Sequence, residues 1–313
     1  MNDKTEIIVA YTHNVSSGGI RVHRLPRPGE TIRALDTNTG IDCAKGTNVA
    51  VSARRVGAEV ALVASVPGGD WYERGQRILA QEGIDDSFVR LQPGKRKTSG
   101  CVIIDDEGNN MIILSSGGQQ SISREYMDSA LNAYPNAKYC VTGYELNPAS
   151  VKEVLECCRG KGVLTILNPS PVPEEKPGFW SLVDILVLNE VEVVHMLNLA
   201  HAPVAEDWRE NAETLRKEFG CRQIVITLGA NGFISLDAES VATRGAAVAV
   251  KPYDTTGAGD GFLGAMTARL AAGDSLGAAC SWANRYASYT VQRPGTISSY
   301  PTREEEPQIW STD

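Results

Sequence analysis

The chain has 313 residues, 42% of them hydrophobic, enough to bury a large core in one big α/β domain or two modest ones. Its net charge of -8, with no basic run longer than Lys95-Arg96-Lys97, argues against nucleic acid or an anionic membrane as the main partner. The seven cysteines are odd in number and form no Cys-x-x-Cys pair, and the four histidines have no ligand spacing, so free thiols of a reducing compartment are expected and zinc is not.

The N-terminal residues lead straight into an apolar strand, Ile7 to Ala10, with no signal-peptide segment before it. Nowhere does an apolar run reach transmembrane length, so a cytoplasmic location is expected. From about residue 45 the periodicity predicts a helix at Val49 to Arg55, a strand at Ala61 to Val66 and a helix at Gly75 to Gln81. Further strands are expected at Tyr139 to Thr142, Val163 to Leu167, Ile185 to Leu188, Ile224 to Leu228 and Ala246 to Val250, with helical stretches between most of them. This alternation is the pattern of a mostly parallel sheet covered on both faces.

Two regions break it. Gly19 to Asp36, with Pro26 and Pro28, reads as short extended pieces, and Thr98 to Ser115 reads as a hairpin turning at Asp106-Glu107-Gly108-Asn109. Together they predict a small second sheet. No repeat, low-complexity tract or linker divides the chain, so residues 1–313 read as one domain with these strands inside it at about 14–37 and 96–116.

The most informative stretch is Asp254-Thr-Thr-Gly-Ala-Gly-Asp260. Phe262, Leu263, Met266 and Leu270 recur at helical spacing just after it, so the glycines fall at a helix start. Gly257 and Gly259 let the backbone turn. The amides of Gly257, Ala258, Gly259 and Asp260 are then available where unpaired N–H groups and the helix dipole hold an anion such as a transferring phosphate. Asp260 is placed to accept a proton from an attacking hydroxyl. Gly and Asp also cap ordinary helices, but Asp254 is more than a cap needs. No Gly-x-x-x-x-Gly-Lys-Ser/Thr loop occurs, which disfavours a P-loop ATPase. A dinucleotide fingerprint would need a third Gly where Phe262 stands, which weakens a dehydrogenase reading.

These residues resemble the ribokinase-like, or phosphofructokinase-B type, carbohydrate kinases along nearly the whole chain. The matching segments are Pro26-Arg-Pro-Gly-Glu30, Lys45-Gly-Thr-Asn48, Leu167-Asn-Pro-Ser-Pro171, Asn189-Glu-Val-Glu192, Thr227-Leu-Gly-Ala-Asn-Gly232 and the turn at 254–260. The last is the specific one; each of the others would be weak alone. The resemblance implies a three-layer α/β/α fold with a mostly parallel central sheet and a small β-sheet lid. It implies a kinase using ATP and Mg²⁺, with Asp260 as base and Gly257, Ala258 and Gly259 as the anion hole. It puts Asn189, Glu192, Thr227, Gly229 and Gly232 at the nucleotide, with Glu192 near the metal through water. Asp254, Thr256, Gly295 and Ser299 match the loop pair that holds a monovalent cation, potassium, in many members. A homodimer formed through the lid is also implied.

On the acceptor side the resemblance places Asn14, Ser16, Ala44, Lys45, Gly46, Asn48, Glu145 and Asp260 around a sugar or sugar-like molecule. Two departures stand out. Ser16 occupies the position of a carboxylate that grips sugar hydroxyls, and Cys43-Ala44 replaces a Gly-Gly pair. A serine offers one hydrogen bond where a carboxylate accepts a pair, so D-ribose is expected to be a poor acceptor. A nucleoside or vitamin-precursor kinase would need a ring-stacking pocket, and few aromatics fall in the lid segments. A non-catalytic sugar-binding regulator is disfavoured by the intact Asp260.

Overall fold

Residues 4–17, 19–37, 41–92, 100–114, 120–201 and 207–305 are described by the computed structural model of the chain. β1 (Ile7–Ala10) is buried at every position, as a strand covered on both faces must be. Three short strands follow it, β2 (Val15–Ser17), β3 (Ile20–Arg21) and β4 (Ile41–Cys43), and then the first helix, α1 (Lys45–Arg55). β5 (Val60–Val66), α2 (Asp70–Glu82) and β6 (Asp85–Leu91) come next, before a hairpin of β7 (Gly100–Ile104) and β8 (Asn110–Leu114). The middle of the chain alternates: α3 (Arg124–Ala133), β9 (Tyr139–Gly143), α4 (Pro148–Lys161), β10 (Leu164–Asn168), β11 (Ile185–Asn189), α5 (Glu190–Leu197) and α6 (Trp208–Phe219). It closes with β12 (Gln223–Thr227), β13 (Phe233–Leu236), β14 (Ala242–Gly245), α7 (Ala258–Ala271) and α8 (Leu276–Thr290).

The central sheet has nine strands in the order β14-β13-β12-β11-β10-β9-β1-β5-β6. Pairing is parallel from β12 to β6, and antiparallel where β13 and β14 fold back. From β1 the chain steps to β5 on one side, whereas β9, β10, β11 and β12 step away on the other. Right-handed crossovers that run in opposite directions put their helices on opposite faces. Accordingly α1, α7 and α8 pack together, and α3 packs with α4 and α5 with α6. The reversal falls between β1 and β9, a switch point that leaves a crevice at the carboxyl ends of the strands.

The polar breaks in the sequence form two small sheets rather than the one expected. β2 pairs with β4, and β3 pairs with β7 of the hairpin. β4 lies outside the range foreseen for these strands. The ends of the expected hairpin, Thr98 and Ser115, lie outside the described residues.

The run Ala246 to Val250 is not a strand. The strand lies just before it, as β14, because a ladder needs a partner: β13 begins at Phe233, opposite Gly245, and the chain before Phe233 has already turned at Gly232, at φ +87°. The first helix starts earlier than its apolar periodicity indicates. Gly46 sits in its first turn, where a Cβ would come 2.2 Å from the Thr12 carbonyl, so the residue that hides the helix in the sequence lets it dock on the end of β1. All seven cysteines are free thiols, most of them buried. Among the described residues no helix is long and apolar enough to cross a membrane.

Candidate active site

The glycine turn is built around two carboxylates. Asp254 is buried, and its two oxygens accept the amides of Thr256 and Gly295, each at 2.9 Å, which ties the turn to the loop after α8. The Thr255 carbonyl then accepts the Ala258 amide at 3.2 Å, closing a β-turn whose third residue, Gly257, needs a φ of +75°. Tyr300 donates its hydroxyl to the Gly257 carbonyl at 2.7 Å from behind. One expectation changes here: the Ala258 amide is spent on the turn itself. The amides of Gly257, Gly259 and Asp260 have no partner among the described residues, and they remain for an anion at the start of α7.

Asp260 lies in the first turn of α7, 7% exposed. Its Oδ1 accepts Lys45 Nζ at 3.1 Å and its Oδ2 accepts Asn48 Nδ2 at 2.9 Å. Both donors come from the first turn of α1, so the early start of that helix brings them to the carboxylate. The Lys45 amide reaches Glu145 Oε2 at 3.3 Å, and the Thr12 hydroxyl donates to the same oxygen. Asn14, through its carbonyl, accepts the Ala44 amide at 3.1 Å, and Ser16 stands opposite Asp42 in the β2–β4 pair. The positions expected from the sequence on the acceptor side therefore lie at or beside the ends of β1, β2, β9 and α1.

Burial pulls the Lys45 ammonium down, but the charges of Asp260, Glu145 and Glu192 outweigh it and hold it above its ordinary value. Lys45 is thus fully charged at neutral pH. Burial pushes the Glu145 carboxyl above its usual range, against the pull of Lys45 and the Thr12 hydroxyl.

On the nucleotide side expected from the sequence, Asn189 and Glu192 form a capping box. Asn189 Oδ1 accepts the Glu192 amide at 2.8 Å, and Glu192 Oε2 accepts the Asn189 amide at 2.9 Å. The plain helix-cap reading of this motif is therefore realised, yet Glu192 is 7% exposed rather than solvated. Its Oε2 also accepts Asn168 Nδ2 at 3.3 Å, and its Oε1 has no partner among the described residues. That free oxygen fits a hydrated Mg²⁺, which would hold the charged end of a polyphosphate. Thr227 is the register partner of Asn189, on the same edge, and its hydroxyl donates to the Leu188 carbonyl at 3.3 Å. Gly229 opens the short 3-10 turn Gly229–Asn231 that follows, and Gly232 closes it.

For a monovalent cation the fit rests on charge. Asp254 is 1% exposed and has no cationic side chain against it among the described residues, so its charge is balanced only by two amides. Thr256 and Gly295 flank it. Ser299 donates both its amide and its hydroxyl to the Thr296 carbonyl, at 2.9 and 2.6 Å. The described residues contain no group of three or more His, Cys, Asp and Glu side chains that could hold a metal by themselves.

Sequence reasoning missed Thr12, Asn168 and Tyr11, the last fully buried within the field of Glu145, Asp260 and Glu192. Thr12 and Tyr11 follow an apolar strand that ends at the site. Asn168 ends another such strand, β10, in a segment that stood out only by its resemblance. Position at a strand's carboxyl end was the available signal in each case.

An α/β sheet with a crevice at its switch point, a glycine turn presenting amides, and a buried carboxylate beside them define the class: a phosphotransferase with an alcohol group as acceptor. The chain matches the pfkB family carbohydrate kinase pattern over residues 45–303. It is 34% identical over 292 residues to the ribokinase of Mus musculus, covering 91% of this chain and 88% of that protein. Among solved structures, the ribokinase of Giardia lamblia superposes with a TM-score of 0.85 at 18% identity, covering 99% of this chain and 100% of that one. The Arabidopsis thaliana ribokinase complexed with ribose and ATP superposes at 0.78 with 22% identity, covering 99% of each chain. The chain belongs to the pfkB family of carbohydrate kinases.

Proposed function

We propose that the protein transfers the γ-phosphoryl group of ATP to a hydroxyl of a small sugar or sugar-like molecule, with Asp260 as the general base. The observation that carries this reading is the pairing of a buried carboxylate with unspent amides in one helix turn. The acceptor hydroxyl lies between Asp260 and the γ-phosphorus. As its oxygen forms the new bond to phosphorus, its proton passes to Asp260 and the bond to the β-phosphate oxygen breaks, releasing ADP. The amides of Gly257, Gly259 and Asp260 stabilise charge on the transferring group. Lys45 and Asn48 aim the carboxylate. Mg²⁺, held near Glu192 through water, would neutralise the phosphate oxygens. ATP consumption measured against sugars, sugar alcohols and nucleosides tests this reading; consumption with nucleosides alone would replace it with a nucleoside kinase, and no consumption with a regulator.

The acceptor is a sugar of the ribose type in size and polarity, supported by the relatives' names. Within that class we expect D-ribose itself to be a poor acceptor, because Ser16 and Cys43-Ala44 replace the family's carboxylate and glycines. Another sugar should have a kcat/KM at least about tenfold higher, the value of one lost charge-assisted hydrogen bond. D-ribose at the head of the panel would remove this specificity reading and leave the kinase reading standing.

The uncompensated charge of Asp254 supports a monovalent cation behind the glycine turn. Potassium is expected to raise activity more than sodium. Equal rates in potassium, sodium and a bulky organic cation at matched ionic strength would remove the site. Pairing of two copies through the small sheet is supported by β8, an edge strand whose Met111, Ile112 and Ile113 are all exposed. The free thiols support a reducing, cytoplasmic setting.

A further inference from the structure

The hairpin of the small sheet bonds directly to the glycine turn. Asp105 shapes the hairpin tip by accepting the amides of Glu107 and Asn109 at 3.0 and 2.9 Å. The tip then presents the Gly108 carbonyl to Thr255, accepting its amide at 3.3 Å and its hydroxyl at 2.7 Å. From the first position of β8, Asn110 Nδ2 donates to the hydroxyls of both Thr255 and Thr256, each at 3.3 Å. Arg21 of β3 braces the same contact: its guanidinium lies 4.2 Å from the centre of the Tyr253 ring and 4.0 Å from Asp106 at the tip.

Thr255 and Thr256 are the residues on which the turn depends. The Thr255 carbonyl closes the β-turn on Ala258, and the Thr256 amide is held by Asp254. Gly257 contributes no stiffness of its own. The direction of the Gly257, Gly259 and Asp260 amides is therefore set from upstream, and one of the upstream anchors is a side chain of the hairpin.

We propose that Asn110 is a positioning residue for phosphoryl transfer, which through Thr255 and Thr256 makes the β7–β8 hairpin and the anion-binding turn one mechanical unit. The proposal rests on the kinase reading and adds to it a link between the small sheet and the phosphate side. Positioned donors lose much of their value when displaced by a fraction of an ångström, whereas acceptor contacts made elsewhere are unaffected.

The test compares Asn110→Ala with Asn109→Ala, whose side chain bonds only within the hairpin tip, to Asp105 and Glu107. Amide hydrogen exchange across residues 254–260 is read without substrates, and kcat and acceptor KM are read with the best acceptor. For Asn110→Ala we expect faster exchange in that segment, kcat lower by about tenfold and acceptor KM within about threefold, as the loss of two neutral hydrogen bonds to a positioning element implies. Asn109→Ala should leave exchange at 254–260 unchanged. Thr255→Val should reproduce the Asn110→Ala effects, and the double variant should fall little further than either single one. Unchanged exchange in Asn110→Ala, or a raised acceptor KM with an unchanged kcat, would overturn the proposal. If Asn110→Ala does not fold, Thr255→Val is read by the same criteria. Faster exchange in a protein that consumes no ATP with any acceptor would fault the kinase reading while supporting the coupling.

Discussion

Asp260→Asn is expected to lower kcat by about 10² to 10⁴, the usual contribution of a positioned proton acceptor. The substitution keeps the shape and leaves Lys45 an oxygen to donate to, but it gives up the acceptor that Asn48 Nδ2 uses. What it removes is the capacity to take up a proton as the hydroxyl attacks phosphorus. Because the proposed reading gives the ATP phosphates to backbone amides and to a Mg²⁺ near Glu192, the KM for ATP should move by only about threefold. Steady-state kinetics with the best acceptor decide it. Turnover near the wild-type value would show that another group takes the proton.

The second large effect is on stability against pH. His13 is fully buried between the site and α2, with Nδ1 2.8 Å from the Thr47 hydroxyl and its ring 5.9 Å from that of Trp71. Gln120 clamps its backbone, accepting the amide at 3.1 Å and donating to the carbonyl at 2.9 Å. Nε2 has no partner among the described residues, and it lies where a side chain on Gly75 would be. Burial pushes the imidazole down to about 4 from 6.5. The unfolded chain therefore binds a proton between these values that the folded chain refuses, and stability is lost as pH falls from 6.5 towards 4. The loss is on the order of 3 kcal/mol. Glu145, raised by burial, works in the opposite direction over part of this range. It is common to the wild type and a His13→Asn variant, so the comparison isolates the imidazole. Urea unfolding at pH 7 and pH 4 should show the wild type losing about 3 kcal/mol more than the variant. Equal losses would show that His13 accepts its proton in the folded state.

Much of the central sheet was legible because its strands are apolar runs bounded by turn residues. Ile7 to Ala10 agrees with β1 at both ends, and Ala61 to Val66 and Ile185 to Leu188 agree to within a residue. The elements that were missed lack that contrast. β6 carries Asp85, Asp86 and Arg90 because it is an edge strand, and β14 is short and only half-buried, while the more apolar run beside it had no strand to pair with.

The residues of the site divide in the same way. Asp254, Gly257, Gly259 and Asp260 could be read as one chemical unit because they lie within seven residues of chain, and their residue types favour a turn and a helix start. The family, the mostly parallel sheet and the kinase class followed from such local patterns. What only the tertiary structure decided was which distant groups face Asp260 and what each is already doing. Lys45 and Asn48 reach it because Gly46 lets α1 dock on β1; Ala258 gives up its amide to close the turn; Asn168 at the end of β10 meets Glu192 in the helix after β11 because the two strands are neighbours; and Asn110 meets Thr255 across 145 positions of chain. Hydrogen bonds depend on distance in space, and sequence patterns carry distance only along the chain.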